Sequence, residues 1–161
     1  AEEAAARTLL NMDCDVIAQH CDTVYPQTLA QEKGVYSIGY NSDMSKEAPD
    51  ACLCSVIWNW SAYYTSAVQS VIDGTWDGSN YYGGMSENLV SVTSVASFAA
   101  NGTQEKVNEA KQQILTGKNG VFDGVIETNT GAAVGAAGKT LDDATITGGI
   151  NWYFKTVNVV E

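Results

Sequence analysis

Asp15-Val-Ile-Ala-Gln19, then Val35-Tyr-Ser-Ile-Gly39, then Cys52-Leu-Cys-Ser-Val-Ile57: three short apolar runs sit in the first part of the chain. Each reads as a strand. Between the first two, Pro26 fits a first helical turn, Gln27 to Lys33 continues the helix, and Gly34 terminates it. A polar loop, Tyr40 to Asp50, leads to the third run. Beyond it Asn59 is placed to cap a helix whose apolar positions are Tyr63, Ala67, Val68, Val71 and Ile72, and Gly74 closes that helix. Strands joined through helices imply a parallel, right-handed βαβ sheet and the α/β class.

Working outward, Glu2 to Met12 is rich in Ala and Leu and suits a helix. Leu89 to Val95 alternates as a half-exposed strand does. Thr103 to Leu115 is amphipathic, with Val107, Ala110, Ile114 and Leu115 inward and Gly117 at its end. Val121 to Glu127 and Trp152 to Val160 read as strands, and Gly131 to Lys139 as a Gly/Ala loop. No internal repeat or clear linker interrupts the chain.

The chain has 161 residues, 45% hydrophobic and 17% charged, which suits one globular domain. Acids outnumber bases 19 to 8, for a net charge of −11. That charge excludes nucleic acid as a natural partner and disfavours an anionic membrane face, since both recruit clustered Lys and Arg. No apolar run approaches the ~20 residues of a membrane span. No signal peptide or lipid-attachment cysteine is visible, so any such segment is expected to lie outside this sequence. The four cysteines, Cys14, Cys21, Cys52 and Cys54, lack zinc-site spacing, and the chain has one His. Cys52 and Cys54 are expected on one face of a strand, and buried free thiols are expected ahead of a disulfide or a metal site.

In an open parallel sheet, ligands bind beyond the carboxyl ends of the strands. Here those ends carry His20, Cys21, Asp22 and Thr23; Tyr40, Asn41, Ser42 and Asp43; and Trp58, Asn59 and Trp60. A planar ring stacked on Trp, with Asn, Asp and His reading its edge, suits such a rim, and so does a sugar face. Plainer roles compete: His20 as a strand-end hydrogen bonder, Asn41 and Asp43 as Asx-turn formers, Trp60 as core. Trp58 is the residue least easily explained that way, because strand alternation ends there.

Catalysis finds little support. There is no G-x-S-x-G, and Cys21 beside His20 is adjacency on opposite faces of an extended chain. Asp142-Asp143 read as helix N-terminal acids. Gly131 to Thr140 ends as a phosphate loop does, but G-x-x-x-x-G-K-[ST] requires Gly at 133, where Ala133 stands. A hairpin leading to a helix capped at Thr140 is the expectation. Asn59-Trp-Ser61 and Asn101-Gly-Thr103 match glycosylation acceptors, as chance often arranges.

The same residues carry a resemblance. Asp15 to Thr23, Glu32 to Met44 and Ser55 to Tyr64 are similar to the basic membrane protein family, the substrate-binding lipoproteins of bacterial ABC importers that include purine nucleoside receptors. Gly74-Thr-Trp76, Tyr82-Gly-Gly84, Val121 to Ile126, Ala137 to Asp143 and Asn151 to Phe154 continue it in collinear order. The resemblance implies a type I periplasmic binding protein fold, a three-layer αβα lobe facing a second lobe across a ligand cleft. Family members are about double this length, so residues 1–161 are expected to form the carboxy-terminal lobe, truncated at its start. The family's ribose-binding acid falls at Asn41, with Asp43 at the second acidic position, and the family's ribose-reaching Lys falls at Trp58. Loss of both charged groups favours a free nucleobase such as adenine over a nucleoside. The ligand set implied is Trp58 as stacking wall, Asn41 and Asp22 as edge hydrogen bonders, and His20 and Thr23 at the rim, with Asp43 and Trp60 beside them. It further implies permease and ATPase partners, an extracytoplasmic, lipid-anchored protein, no catalysis and no cofactor. A sugar or other small polar solute, or a sensor ectodomain on the same fold, is the alternative.

Overall fold

A computed structural model describes residues 1–118 and 120–160. The chain divides into two compact units, Ala1–Asn108 and Glu109–Glu161. The first holds helix α1 (Glu2–Asn11), strand β1 (Val16–Ala18), helix α2 (Tyr25–Lys33), strands β2 (Tyr36–Asn41) and β3 (Cys52–Trp58), helix α3 (Trp60–Ile72) and strand β4 (Val90–Val92). Helix α4 (Thr103–Leu115) runs across the division. The second unit contains strands β5 (Asp123–Glu127) and β6 (Ala133–Thr140) and a single π-helical turn, Thr145–Gly149.

Strands β1, β2 and β3 lie side by side and run parallel, as the α/β reading requires, and β4 joins β3 antiparallel. Pro26 opens α2 and Gly34 closes it at φ 75. The core forms on one face of the sheet. Ala6 and Leu10, one helical turn apart on α1, meet Ile17 of β1 and Leu29 of α2. Beside them Met44, Ala48, Ala51 and Cys52 form a second buried cluster. The Tyr40–Asp50 segment, polar in sequence, thus supplies two core residues, Met44 and Ala48.

The four cysteines are free, as expected, but only Cys52 is buried; Cys14, Cys21 and Cys54 are half-buried. The placement of Cys52 and Cys54 on β3 also differs from the expectation. Ser37 pairs with Cys52 but the next residue, Ile38, pairs with Cys54, leaving Leu53 as a bulge. The extra residue shifts the alternation, so Cys52 and Cys54 lie on opposite faces. Cys52 sits 3.6 Å from the Ser55 hydroxyl on the covered side. Burial pushes the Cys54 thiol pKa up.

Other expectations fall to specific contacts. Helix α3 buries no residue, and its Val68, Val71 and Ile72 are 60%, 62% and 72% exposed. On α4, Ala110, Ile114 and Leu115 are exposed rather than inward. Residues 133–140 form a strand paired with β5, since a backbone ladder needs no large side chains. That strand extends Gly138-Lys139-Thr140 instead of curling it around phosphate. Asp142, not Thr140, caps the following turn by accepting the Thr145 N–H at 2.7 Å, which lowers its carboxyl pKa. Trp152 to Val160 is not a strand: Phe154 makes one bridge to Thr128, and the Val157 N–H then turns back to the Phe154 carbonyl at 2.8 Å.

Candidate functional site

The parallel order of β1, β2 and β3 brings their carboxyl ends to one edge of the sheet. Register sets which side chains meet there. Tyr40 pairs with Val56, and alternation places Trp58 on the same face as Tyr40. The Trp58 indole N–H donates to the Tyr40 hydroxyl at 3.2 Å. On its other side Tyr40 faces His20, at the end of β1, with ring centroids 4.2 Å apart. One aromatic side chain from β2 therefore links both neighbouring strand ends.

From Trp58 the aromatic surface continues onto α3. Trp58 and Trp60 stack at 5.2 Å with planes 17° apart, and Trp60 stacks on Tyr64 at 5.9 Å and 19°. These are offset-stacked separations, with Trp60 as the middle ring of the row. Tyr63 stacks on Tyr81 at 4.4 Å. Trp58, Trp60, Tyr63, Tyr81, Tyr82, Gly83 and Leu89 enclose a cleft of about 360 Å³. No lining side chain is charged.

The far wall is held by short-range hydrogen bonds. Asn59 sits at the helix N-terminus but makes no capping bond to a backbone N–H. Its amide instead donates to the Asn88 carbonyl at 3.1 Å, and its Oδ1 accepts from Ser61 at 2.6 Å. Glu87 accepts the Gly84 N–H at 2.8 Å, which lowers its carboxyl pKa and closes the turn. At Gly83 a Cβ would fall 2.6 Å from the Tyr81 hydroxyl oxygen, so the Tyr81 ring packs directly against this glycine.

Of the seven residues singled out in the sequence, His20, Trp58 and Trp60 join this aromatic system directly or through Tyr40. Asn41 ends β2 at φ 72, a left-handed conformation that non-glycine residues seldom adopt and that marks the rim as a strained point. Asp43 accepts the Ser45 N–H at 3.0 Å in an Asx-turn, and that bond lowers its pKa. Thr23 turns away: its N–H donates to Glu2 at 3.1 Å and its hydroxyl bonds the same carboxylate. The Asp22 N–H also helps hold the Glu2 carboxyl below its ordinary pKa, the Thr23 hydroxyl being the larger cause. Tyr40, Tyr63, Tyr81 and Tyr82 complete the site and were not among the seven. The signal for the last two was Tyr81-Tyr82-Gly83-Gly84 itself, aromatics beside glycines. Among the described residues no group of His, Cys, Asp and Glu is placed to hold a metal.

A family model described as ABC transporter substrate-binding protein, PnrA-like, matches residues 1–121. A purine-binding protein of Brucella abortus is 32% identical over 98% of this chain and 44% of its own length. A putative ABC transporter glucose-binding protein of Haloferax volcanii is 29% identical over 74% of this chain and 31% of its own. The chain thus spans less than half the length of these curated relatives. Among solved structures, a transcriptional activator of the comK gene from Bacillus halodurans superposes with a TM-score of 0.64 at 18% identity, covering 72% of this chain and 42% of that one. An ABC transporter solute-binding protein from Aeropyrum pernix gives 0.56 at 15%, covering 72% and 42%. These likenesses show the α/β fold of solute-binding proteins. On the family match, this chain belongs to the PnrA-like ABC transporter substrate-binding proteins.

Proposed function

We propose that the chain supplies one wall of the ligand cleft in the solute-binding component of an ABC importer, and that the solute is a purine base. The observation that carries this is the Trp58–Trp60 stack at 5.2 Å, opening into an uncharged aromatic cleft. A neutral planar ring gains most from such a surface, because stacking rewards its faces and no ion is left unpaired. The purine-binding relative in Brucella abortus supports the same ligand class. Asn41, where the family pattern places an acid, and Trp58, where it places a Lys, favour a base over a nucleoside. His20, Asn41, Trp58 and Trp60 are the residues proposed to meet ligand, with Asp22 and Asp43 nearby and Thr23 engaged by Glu2 instead. In this reading residues 1–161 are the carboxy-terminal lobe of a two-lobed, lipid-anchored extracytoplasmic receptor that delivers solute to permease and ATPase subunits without catalysis.

Isothermal titration of the full-length receptor with adenine, guanine, adenosine and inosine tests the proposal. Heat evolved with the bases and weaker binding of the nucleosides is expected. No binding of any purine at millimolar concentration rejects it. The glucose-binding name of the Haloferax volcanii relative favours a second reading, a sugar stacked on the same rings. Ultraviolet absorbance of ligand released from the purified protein separates the two, since a sugar has no band where purines absorb.

A further inference from the structure

We propose that Tyr40 is a positioning residue, fixing the plane of the Trp58 indole so that the site presents an aromatic face and not an N–H donor; the role in binding rests on the purine reading above. Tyr40 is touched from both neighbouring strand ends: Trp58 donates to its hydroxyl at 3.2 Å, and His20 packs on its ring at 4.2 Å. Its backbone is held by the β2–β3 ladder opposite Val56. An indole turns readily about its outer torsion, so a half-buried Trp at a strand end needs a second anchor to keep one plane. The hydroxyl supplies it. An indole has a single donor, and here that donor is occupied. Ligand therefore meets the ring face of Trp58, aligned with Trp60 at 17°.

Tyr40→Phe removes the anchor and keeps the ring that His20 packs on. The first readout needs no ligand: in the proton–nitrogen spectrum, the Trp58 indole resonance is expected to shift and broaden, with the Trp76 and Trp152 indoles and the melting temperature little changed. The second is a double-mutant cycle on adenine affinity. Tyr40→Phe is expected to weaken adenine about three- to ten-fold, the scale of one neutral hydrogen bond, in the parent. In the Trp58→Phe background, which has no indole N–H, the same change is expected to do nothing further. An unmoved Trp58 resonance, or an equal adenine loss in both backgrounds, overturns the proposal. If adenine fails to bind the parent protein, the purine reading falls, and the indole resonance alone decides whether Tyr40 holds Trp58.

Discussion

Trp58 stands where three physical requirements coincide. It ends β3, so its side chain reaches the sheet edge; its N–H is taken by Tyr40; and its ring is stacked on Trp60. Removing the ring removes a stacking face without leaving a charge unpaired. Trp58→Ala is expected to weaken purine binding by ~1–3 kcal/mol, measured by isothermal titration, with unchanged affinity meaning that ligand does not contact the ring. The sequence marked Trp58 because alternation stopped there. Tyr40 was marked only as one of the residues at a strand end; its role as an anchor comes from the indole opposite it, which the sequence does not show.

At the scale of elements, the sheet depends on how closely β2 and β3 approach. A Cβ at Gly39 would lie 3.1 Å from the Cβ atoms of both Ser55 and Met44, and nearer still to the Ser55 hydroxyl. Gly39→Ala is expected to destabilise by ~1–3 kcal/mol, read as a lower urea midpoint, because a packed interior yields poorly to an added methyl. A second element contact is electrostatic. Thr23 bonds hold the Glu2 carboxyl pKa below its ordinary value of 4.5 and tie α1 to the segment after β1. A lowered folded pKa means the ionised form is preferred in the native state. The contribution is therefore present above about pH 4.5 and is lost as pH falls through the lower folded value. Glu2→Gln is expected to lower the melting temperature at pH 7, with the difference shrinking toward pH 3; a gap that persists in acid would mean the charge is not what Thr23 holds. The register of β3 belongs here too. Nothing in Cys52-Leu-Cys-Ser distinguishes a bulge from regular alternation, and the pairing with Ser37 and Ile38 decides it.

At the scale of the molecule, hydrophobic residues are unevenly covered. In the first unit, α1, α2 and the loop after β2 shield one sheet face. On the other face Val16 and Tyr36 remain 43% and 44% exposed, and Phe98, stacked on Tyr36, 39%. Helix α3 adds the exposed stripe of Val68, Val71 and Ile72. Exposed apolar surface on this scale binds hydrophobic dyes. The chain is expected to enhance anilinonaphthalene sulfonate fluorescence, and Val71→Ser with Ile72→Ser to reduce that enhancement. The pair should change stability by no more than about 1 kcal/mol, since exposed positions contribute little. Full enhancement in the double variant would place the dye elsewhere.

The sequence by itself determined the class and pointed to the sheet edge proposed as the site. Short apolar runs separated by a Pro-opened, Gly-closed helix favour parallel pairing, as β1 and β2 adopt, and parallel strands present their carboxyl ends together. Local chemistry was enough, because propensity and connection length act over a few residues. Tertiary structure decided which side chains meet at that edge. The bulge at Leu53 reset the alternation along β3, Glu2 drew Thr23 away, and Tyr81 and Tyr82 arrived from a distant loop anchored through Asn59. Each of these depends on a partner far along the chain, and long-range pairing leaves no mark on the residues that receive it.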